Sequence, residues 1–397
     1  MIFNTWVFLV FATISLTLYW GVIPQKYKPH YLVVIGSIFY VYSVPAYLLL
    51  IVALGLVTYG IGKAMLRPGI DTTTKKRWLT LGCVLITGVL VAFKYTKFFA
   101  TTVDQVAHSN ILPIPSIVVP LAISFFTFEF VHVLVDIYYG KIETLDPLDF
   151  SVFTMFFPTL VAGPIKRYQS FAPQVRAIVT PPPERFMLNV YRVMIGLTKK
   201  TIIADSMNAF TTPIATPGDP FGRLDYWVAV IAYTIKIYFD FSGYSDIAIG
   251  LGGLLGVRIP ENFDMPYRQR NITDFWNHWH VSLSTWIRDY VFIPLGGSRG
   301  KPLQTIVNLF IAMALSGLWH GAAFTFILWG LWHGMGLAIH RLWRSTAVKR
   351  FPALAGPSPA LRYLSVAGTL AFVATGWILF AAPSLGNATT VFLRLFA

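Results

Sequence analysis

The sequence predicts an all-α, polytopic membrane protein, and three observations predict it. Hydrophobic residues make up 55% of the 397-residue chain and charged residues only 12%, against about 25% charged in an ordinary soluble domain. Mean hydropathy is +0.62. Five runs carry no Asp, Glu, Lys or Arg: residues 1–25, 29–62, 106–128, 302–340 and 363–393. A bilayer demands about 20 apolar residues per helix, and the runs 29–62 and 302–340 each have room for two.

Taken in order, spans are expected near 4–23, 31–44, 46–65, 78–99, 114–139, 186–210, 225–255, 303–320, 321–340 and 363–382. That is about 10–11 transmembrane helices with re-entrant or interfacial pieces. The first span lacks a basic leader and outruns a signal-peptide core, so it is expected to be retained. Pro45 divides the second run, because proline removes a backbone donor and disfavours helix in the residue before it. Residues 148–164 are apolar but short and end at Gly163-Pro164. That length fits a re-entrant or interfacial segment. No internal repeat supports an inverted-repeat transporter. The expectation is one integral-membrane domain over 1–397, with N-terminal spans in 1–147, a core in 148–350 and a C-terminal span in 351–397.

The formal net charge is +14. In a soluble protein such a balance suggests nucleic acid. Here the basic residues lie between apolar spans, as at Arg67, Lys75, Lys76 and Arg77, or Arg341, Arg344, Lys349 and Arg350. The positive-inside rule accounts for them. Cys83 is the single cysteine, which excludes an internal disulfide and any cysteine-based metal site.

Residues 256–301 differ in composition. They are polar and aromatic, with Phe275, Trp276, Trp279, Leu283, Trp286 and Tyr290 at roughly helical spacing. The spacing predicts an amphipathic helix over 273–290, N-capped near Thr273 or Asp274.

Candidate chemistry centres on a repeated dipeptide. Trp-His occurs at Trp279-His280, Trp319-His320 and Trp332-His333, and Gly follows the last two. His320 and His333 lie within the charge-free stretch 302–340. An ionisable side chain at such a place is costly and reads as functional, and histidine titrates near neutrality. His320 is the leading candidate for a general base, the plain alternative being a packing histidine bonded to a neighbouring helix. Gly317 and Gly321 thin its surroundings, so that a substrate or another backbone approaches closely. His280 is the second candidate, and His278, two residues away on a helix, points elsewhere, which argues against a shared zinc site. His333 reads as structural.

Lys236 and Asp240 are four apart and could pair on one face. Asp240 and Asp246 are carboxylates that could orient an imidazole, contact a substrate or relay protons in a transporter. Arg288 precedes Gly296-Gly297-Ser298-Arg299, a weak signal for a phosphate cradle. Neither a P-loop nor a Gly-x-Ser-x-Gly elbow occurs.

These motifs resemble the membrane-bound O-acyltransferase family. The resemblance rests on Phe275-Trp276 through Trp279-His280-Val281-Ser282-Leu283-Ser284-Thr285-Trp286-Ile287-Arg288-Asp289-Tyr290, on Gly317-Leu318-Trp319-His320-Gly321-Ala322 and on Tyr238-Phe239-Asp240-Phe241-Ser242-Gly243-Tyr244-Ser245-Asp246. Phe93-Lys94-Tyr95, Pro120 to Phe125 and Ala162-Gly163-Pro164-Ile165 fit the same pattern. The branch it looks most like is bacterial alginate O-acetylation, with teichoic-acid D-alanylation proteins a step further away.

The resemblance implies helices around a central tunnel and a multi-pass protein of the bacterial cytoplasmic membrane. It implies catalytic His320 and His280; substrate contacts are expected from Asp240, Tyr244, Asp246, Trp276, Asn277, Arg288 and Trp319. It further implies acetyl-CoA as acyl donor, no metal, and an extracytoplasmic partner that completes transfer to a polysaccharide. Two departures from the pattern stand out. Asn277-His278 occupies a place where relatives usually carry two arginines, and many alginate-branch relatives continue through further spans beyond the equivalent of residue 397. Two other readings follow from the residues alone: a proton-coupled transporter or flippase, and a noncatalytic scaffold for polysaccharide synthesis.

Overall fold

The computed structural model describes residues 3–109, 112, 116–350 and 358–397, the side chains of 347 and 348 excepted. Among these the secondary structure is helical, and β pairing is limited to one antiparallel bridge between Phe263 and Trp279. Contacts divide the chain into two compact units, Met1–Leu197 with Tyr244–Pro260, and Thr198–Gly243 with Glu261–Ala397.

The first unit holds α1 (Trp6–Gly21), α2 (Lys28–Ser43), α3 (Leu48–Met65), α4 (Thr72–Lys94), α5 (Thr96–Ala107), α6 (Ile123–Tyr138), α7 (Pro147–Met155), α8 (Tyr168–Arg176) and α9 (Pro183–Thr198). Helix α6 packs against α3 and α4, while α7 lies between α2 and α8. Its apolar face buries Phe126, Phe130, Val133, Leu134 and Ile137. The buried titratable side chains of α6, Glu129, His132 and Asp136, are all satisfied. Glu129 pairs with Lys166. His132 Nδ1 donates to the Phe128 carbonyl at 3.2 Å while Nε2 accepts from Tyr168 N–H at 3.2 Å. Asp136 accepts from Lys141 at 3.0 Å and Gln169 at 2.9 Å. Helix α7 has nine residues, or about 13 Å of rise, too short to span a bilayer. Its N-terminus is set by Pro147 and by Asp146, whose carboxylate accepts from Leu148 N–H at 2.9 Å and Asp149 N–H at 3.0 Å.

The second unit contains α10 (Thr212–Ala215), most of α11 (Arg223–Leu254), α12 (Ile272–His278), α13 (Val281–Ile287), α14 (Pro302–His320), α15 (Phe324–Ser345), α16 (Ala347–Arg350), α17 (Pro359–Ala381) and α18 (Leu385–Arg394). Helices α14 and α15 form a tight hairpin, against which α17 packs along α15. Two glycines make the hairpin possible. A Cβ on Gly317 would stand 2.1 Å from the Phe326 carbonyl oxygen, and one on Gly330 would stand 2.2 Å from that of Met313. Small residues let helix backbones approach where apolar burial alone drives little association.

A helix occupies each of the ten predicted spans. Among the described residues four regions, Pro45–Met65, Thr72–Lys94, Pro302–His320 and Pro359–Ala381, are long and apolar enough to cross a membrane. In Thr72–Lys94 only 11% of the apolar window is buried within the protein, as expected of a surface that meets lipid. The predicted span 114–139 starts later, at Ile123, because Pro120 and the left-handed Ala122 (φ 62°) delay the helix; residues 114 and 115 lie outside the described set. The span expected over 186–210 ends as a helix at Thr198 and continues as a π turn, Lys199–Ala204, and a 3₁₀ stretch.

The amphipathic helix expected over 273–290 is broken in two. Trp279 is extended and His280 is left-handed, at φ 43° and ψ 54°. The residues 262–264 cause the break. Asp264 N–H donates to the His278 carbonyl at 3.1 Å, and Val281 N–H donates to that of Asn262 at 3.0 Å. The backbone is thereby paired sideways where a continuous helix needs i,i−4 bonds. The N-cap is also earlier than expected: Asn271, not Thr273 or Asp274, accepts the Asp274 N–H at 2.9 Å.

Candidate active site

The second unit gathers His280, His320 and most of the aromatic residues that the sequence singles out. His320 ends α14. Its ring stands against Trp319 at 4.8 Å, Trp329 of α15 at 5.1 Å and Phe380 of α17 at 5.0 Å between centroids. His280 precedes α13 and is 1% exposed. Phe241 meets its ring edge-on at 4.5 Å, and Trp319 lies 6.0 Å away. Trp319 therefore touches both histidines, which come from different elements. Burial, and the positive charge that His320 can carry, hold the His280 imidazole well below its usual pKa, so it is neutral at pH 7.

The two nitrogens of His280 are in different surroundings. Nδ1 lies 3.3 Å from Asn262 Oδ1. Nε2 is buried and has no hydrogen-bond partner. Unpaired buried polar atoms are few in folded proteins, and each calls for an explanation.

A cavity of about 340 Å³ is lined by residues of α12, α13, α14 and α15, while His280, His320 and Trp319 are not among its lining residues; its size is within the range of small-ligand sites. Its walls include Trp276, Asn277 and Arg288 from the predicted set, with Thr273, Ser284, Thr285 and Ser316. Ser316 is one turn before His320 on α14, so the two share a helix face. The buried Trp276 Nε1–H has no acceptor among the described residues. Arg288 is 58% exposed and bonds the neighbouring Asp289 at 2.8 Å.

Other predicted residues go elsewhere. Asp240 pairs with Lys200 at 2.7 Å, and Lys200 also holds Asp205 at 2.8 Å. The Lys236–Asp240 pair does not form. The π turn brings Lys200 to the carboxylate, and Lys236 lies over the Tyr233 ring at 5.6 Å. Tyr244 and Asp246 belong to the first unit, where Tyr244 stacks on Phe3 at 4.5 Å and Asp246 pairs with Arg192 at 3.1 Å. The Gly296-Gly297 turn is not a phosphate cradle. Both glycine N–H groups are spent on the Ile293 and Phe292 carbonyls, and Asn308 ties the turn to α14 through Leu295 and Gly297. His278 is half-buried and bonds its own helix through the Asp274 carbonyl.

His333 is fully buried, in a cage of Phe275, Trp276, Trp329, Phe372 and Trp377. Neither ring nitrogen has a hydrogen-bond partner. The carbonyl side chain that faces His280, Asn262, escaped the sequence reading altogether. Neither helical spacing nor a charge marks it. Among the described residues no group of three His, Cys, Asp or Glu side chains could hold a metal ion.

Comparison with known proteins decides the family. The profile of MBOAT, the membrane-bound O-acyltransferase family, matches residues 76–367. The chain belongs to this family. This MBOAT protein is thus a membrane protein and an O-acyltransferase. It is 39% identical over 402 residues to the probable alginate O-acetylase AlgI of Pseudomonas aeruginosa, covering 100% of this chain and 75% of that protein. It is 32% identical over 345 residues to the peptidoglycan O-acetyltransferase of Helicobacter pylori, covering 80% of this chain and 64% of the relative. A teichoic acid D-alanyltransferase of Bacillus subtilis is 32% identical over 222 residues, 53% of this chain and 55% of that one. Both the Trp279-His280 block and the Trp319-His320-Gly321 block of this MBOAT chain fall within the matched region.

Proposed function

We propose that the protein is a multi-pass O-acetyltransferase of the bacterial cytoplasmic membrane. It takes an acetyl group from a cytoplasmic thioester, acetyl-CoA, and passes it to a hydroxyl of an extracytoplasmic polysaccharide or of a partner protein. The observation that carries this reading is that His280 and His320 both pack against Trp319, with one buried imidazole nitrogen of His280 left without a partner among the described residues. The names of the alginate and peptidoglycan relatives favour acetyl as the group moved.

In this reading the acceptor hydroxyl enters beside His320. Its oxygen attacks the thioester carbonyl carbon, and His320 takes the hydroxyl proton. The C–S bond then breaks, and the leaving sulfur receives the proton. General-base assistance of this kind is worth about 10²–10⁴ in rate. Indole N–H groups such as those of Trp276 and Trp319 are suited to stabilise the oxyanion. The cavity beside α13 and α14 takes the thioester arm, with Arg288 and Asn277 among the polar groups of its lining. A site shielded from bulk water limits hydrolysis of the thioester. No step calls for a metal.

The test uses purified protein in detergent with radiolabelled acetyl-CoA, and compares wild type with His320→Ala. CoA release that depends on His320, with label passed to an added sugar or partner, is the expected result. Full activity in a folded His320→Ala protein overturns the assignment of the base. Substrate counterflow in proteoliposomes without any acyl donor would instead identify a transporter.

A further inference from the structure

Asn262 grips the residues around His280 with both its backbone and its side chain. Its carbonyl accepts the Val281 N–H at 3.0 Å. Its Oδ1 accepts the Ser282 N–H at 3.2 Å and the Ser282 hydroxyl at 2.7 Å, and it lies 3.3 Å from His280 Nδ1. A backbone N–H can only donate, so the amide atom facing Ser282 is the oxygen and not the NH₂ group. An oxygen facing Nδ1 requires a proton on Nδ1. In a neutral imidazole the other nitrogen then bears the lone pair. That nitrogen, Nε2, is the buried atom without a hydrogen-bond partner.

We infer that Asn262 is a positioning residue: it fixes His280 in the Nδ1–H tautomer and leaves Nε2 as a second proton acceptor beside His320. The inference rests on the acyl-transfer reading above and assigns a direction to one of its parts. A neutral His280 in this tautomer does not donate to an oxyanion through Nε2, so that task belongs to other donors. It receives a hydrogen bond or a proton there instead. The backbone agrees with a built orientation. His280 is held at φ 43°, a left-handed conformation that non-glycine residues adopt seldom and chiefly where the surroundings enforce it.

The groups that face His280 are few. Helix α11 presents the Phe241 ring, the loop presents neutral Asn262, and α14 presents Trp319 together with the titratable ring of His320. A carboxylate placed at 262 would therefore act on an imidazole that now has only a neutral amide beside it, and would favour its protonated form.

The experiment labels the histidines of the full chain with ¹⁵N and reads by NMR which ring nitrogen carries the proton, with His280→Gln to assign the signal. Wild type should show Nδ1–H. Asn262→Ala should show a mixture of tautomers, and Asn262→Asp, which keeps an acceptor oxygen, should restore Nδ1–H. In Asn262→Asp the acid limb of the pH profile of kcat/KM should also move up by about one unit or more. An Nε2–H signal in wild type overturns the inference, as does an Asn262→Ala spectrum identical to wild type or an Asn262→Asp acid limb that stays in place. Should Asn262→Ala fail to fold, the wild-type and Asn262→Asp measurements still decide. The spectrum needs no acyl donor, so Nδ1–H in a wild-type protein that never consumes thioester would sink the acyl-transfer reading and leave the tautomer assignment standing.

Discussion

Trp329 presents its ring edge-on to His320, with centroids 5.1 Å apart and planes at 88°. The same indole meets His333 at 5.0 Å. Trp329 is fully buried and packs against both imidazoles. Removing it has two consequences. Trp329→Ala opens a large cavity and should cost about 3–5 kcal/mol of stability. Trp329→Phe keeps an aromatic ring and should cost much less. If the ring orients His320, kcat should fall in the Phe variant while thermal unfolding in detergent changes little. Unaltered kcat in Trp329→Phe would limit Trp329 to packing.

The hairpin of α14 and α15 sets how far the His320 end of α14 lies from the rest of the site. Gly330→Ala introduces a methyl group against the Met313 carbonyl, at a spacing real Cβ atoms do not show. The helices must move apart, because neither clashing partner is a flexible side-chain end. Overpacking of this kind typically costs about 1–3 kcal/mol. A lower unfolding temperature together with a lower kcat is expected. By contrast, Gly368→Ala on α17 meets nothing within 4 Å and should be neutral in both measurements.

Much of this arrangement is legible in the sequence, and the boundary is physical. Five charge-free runs announce helices because lipid tolerates few unpaired polar groups, and a helix occupies each of the ten expected spans. Trp319-His320 and Trp279-His280 stand out because an ionisable side chain amid apolar residues is costly. The break at Trp279 is not legible. Helical spacing continues through it, and the pairing of residues 262–264 with 278–281 that causes it is a tertiary choice. Asp240 is misread for a similar reason. Spacing matches it to Lys236, whereas a π turn delivers Lys200. Asn262 is the clearest omission, since a neutral amide in a loop carries neither periodicity nor charge, and its meaning arises only when His280 folds back upon it.

The left-handed backbone at His280 separates its structural from its chemical role. Glycine occupies this conformation without the steric cost of a Cβ, and relief of such strain is worth about 1–3 kcal/mol. His280→Gly also deletes a buried ring packed on Phe241, which offsets the gain. The variant should thus unfold within a few degrees of wild type, while acyl transfer drops at least about 10²-fold. His280→Ala, which keeps the strain and loses the ring, should be the less stable of the two. The reverse order of unfolding temperatures would count against a strained backbone.

A neutral, buried His280 also makes stability depend on pH. Its folded-state pKa is depressed, against about 6.5 in the unfolded chain. Above 6.5 both states are neutral at this site and it contributes no slope. Below 6.5 the unfolded state takes up a proton that the folded state refuses, so stability falls as the pH drops. Unfolding temperature should decline below about pH 6.5, and His280→Gln should flatten part of that decline. A profile unchanged by His280→Gln would show that the ring is not buried as a neutral group.

Arg288 tests the cavity separately from the histidines. It lines the pocket with Trp276, Asn277 and Ser316, yet it is 58% exposed and engages only Asp289 among the ion pairs. Its position suits a hold on the polar part of a donor, away from the carbonyl that reacts. Such a contact acts equally on the bound substrate and the transition state, so its loss raises KM and leaves kcat nearly unchanged. Arg288→Ala should weaken use of acetyl-CoA by about 10-fold or more in kcat/KM, the loss of one charge-assisted hydrogen bond. Arg288→Lys keeps the charge but not the planar fork, and should fall between. Ser316→Ala, which stays small but removes the hydroxyl one turn from His320, should leave donor KM alone and act on kcat. If both variants raised KM alone, the cavity would bind the donor along its whole length, and the acyl carbonyl would lie beyond Ser316.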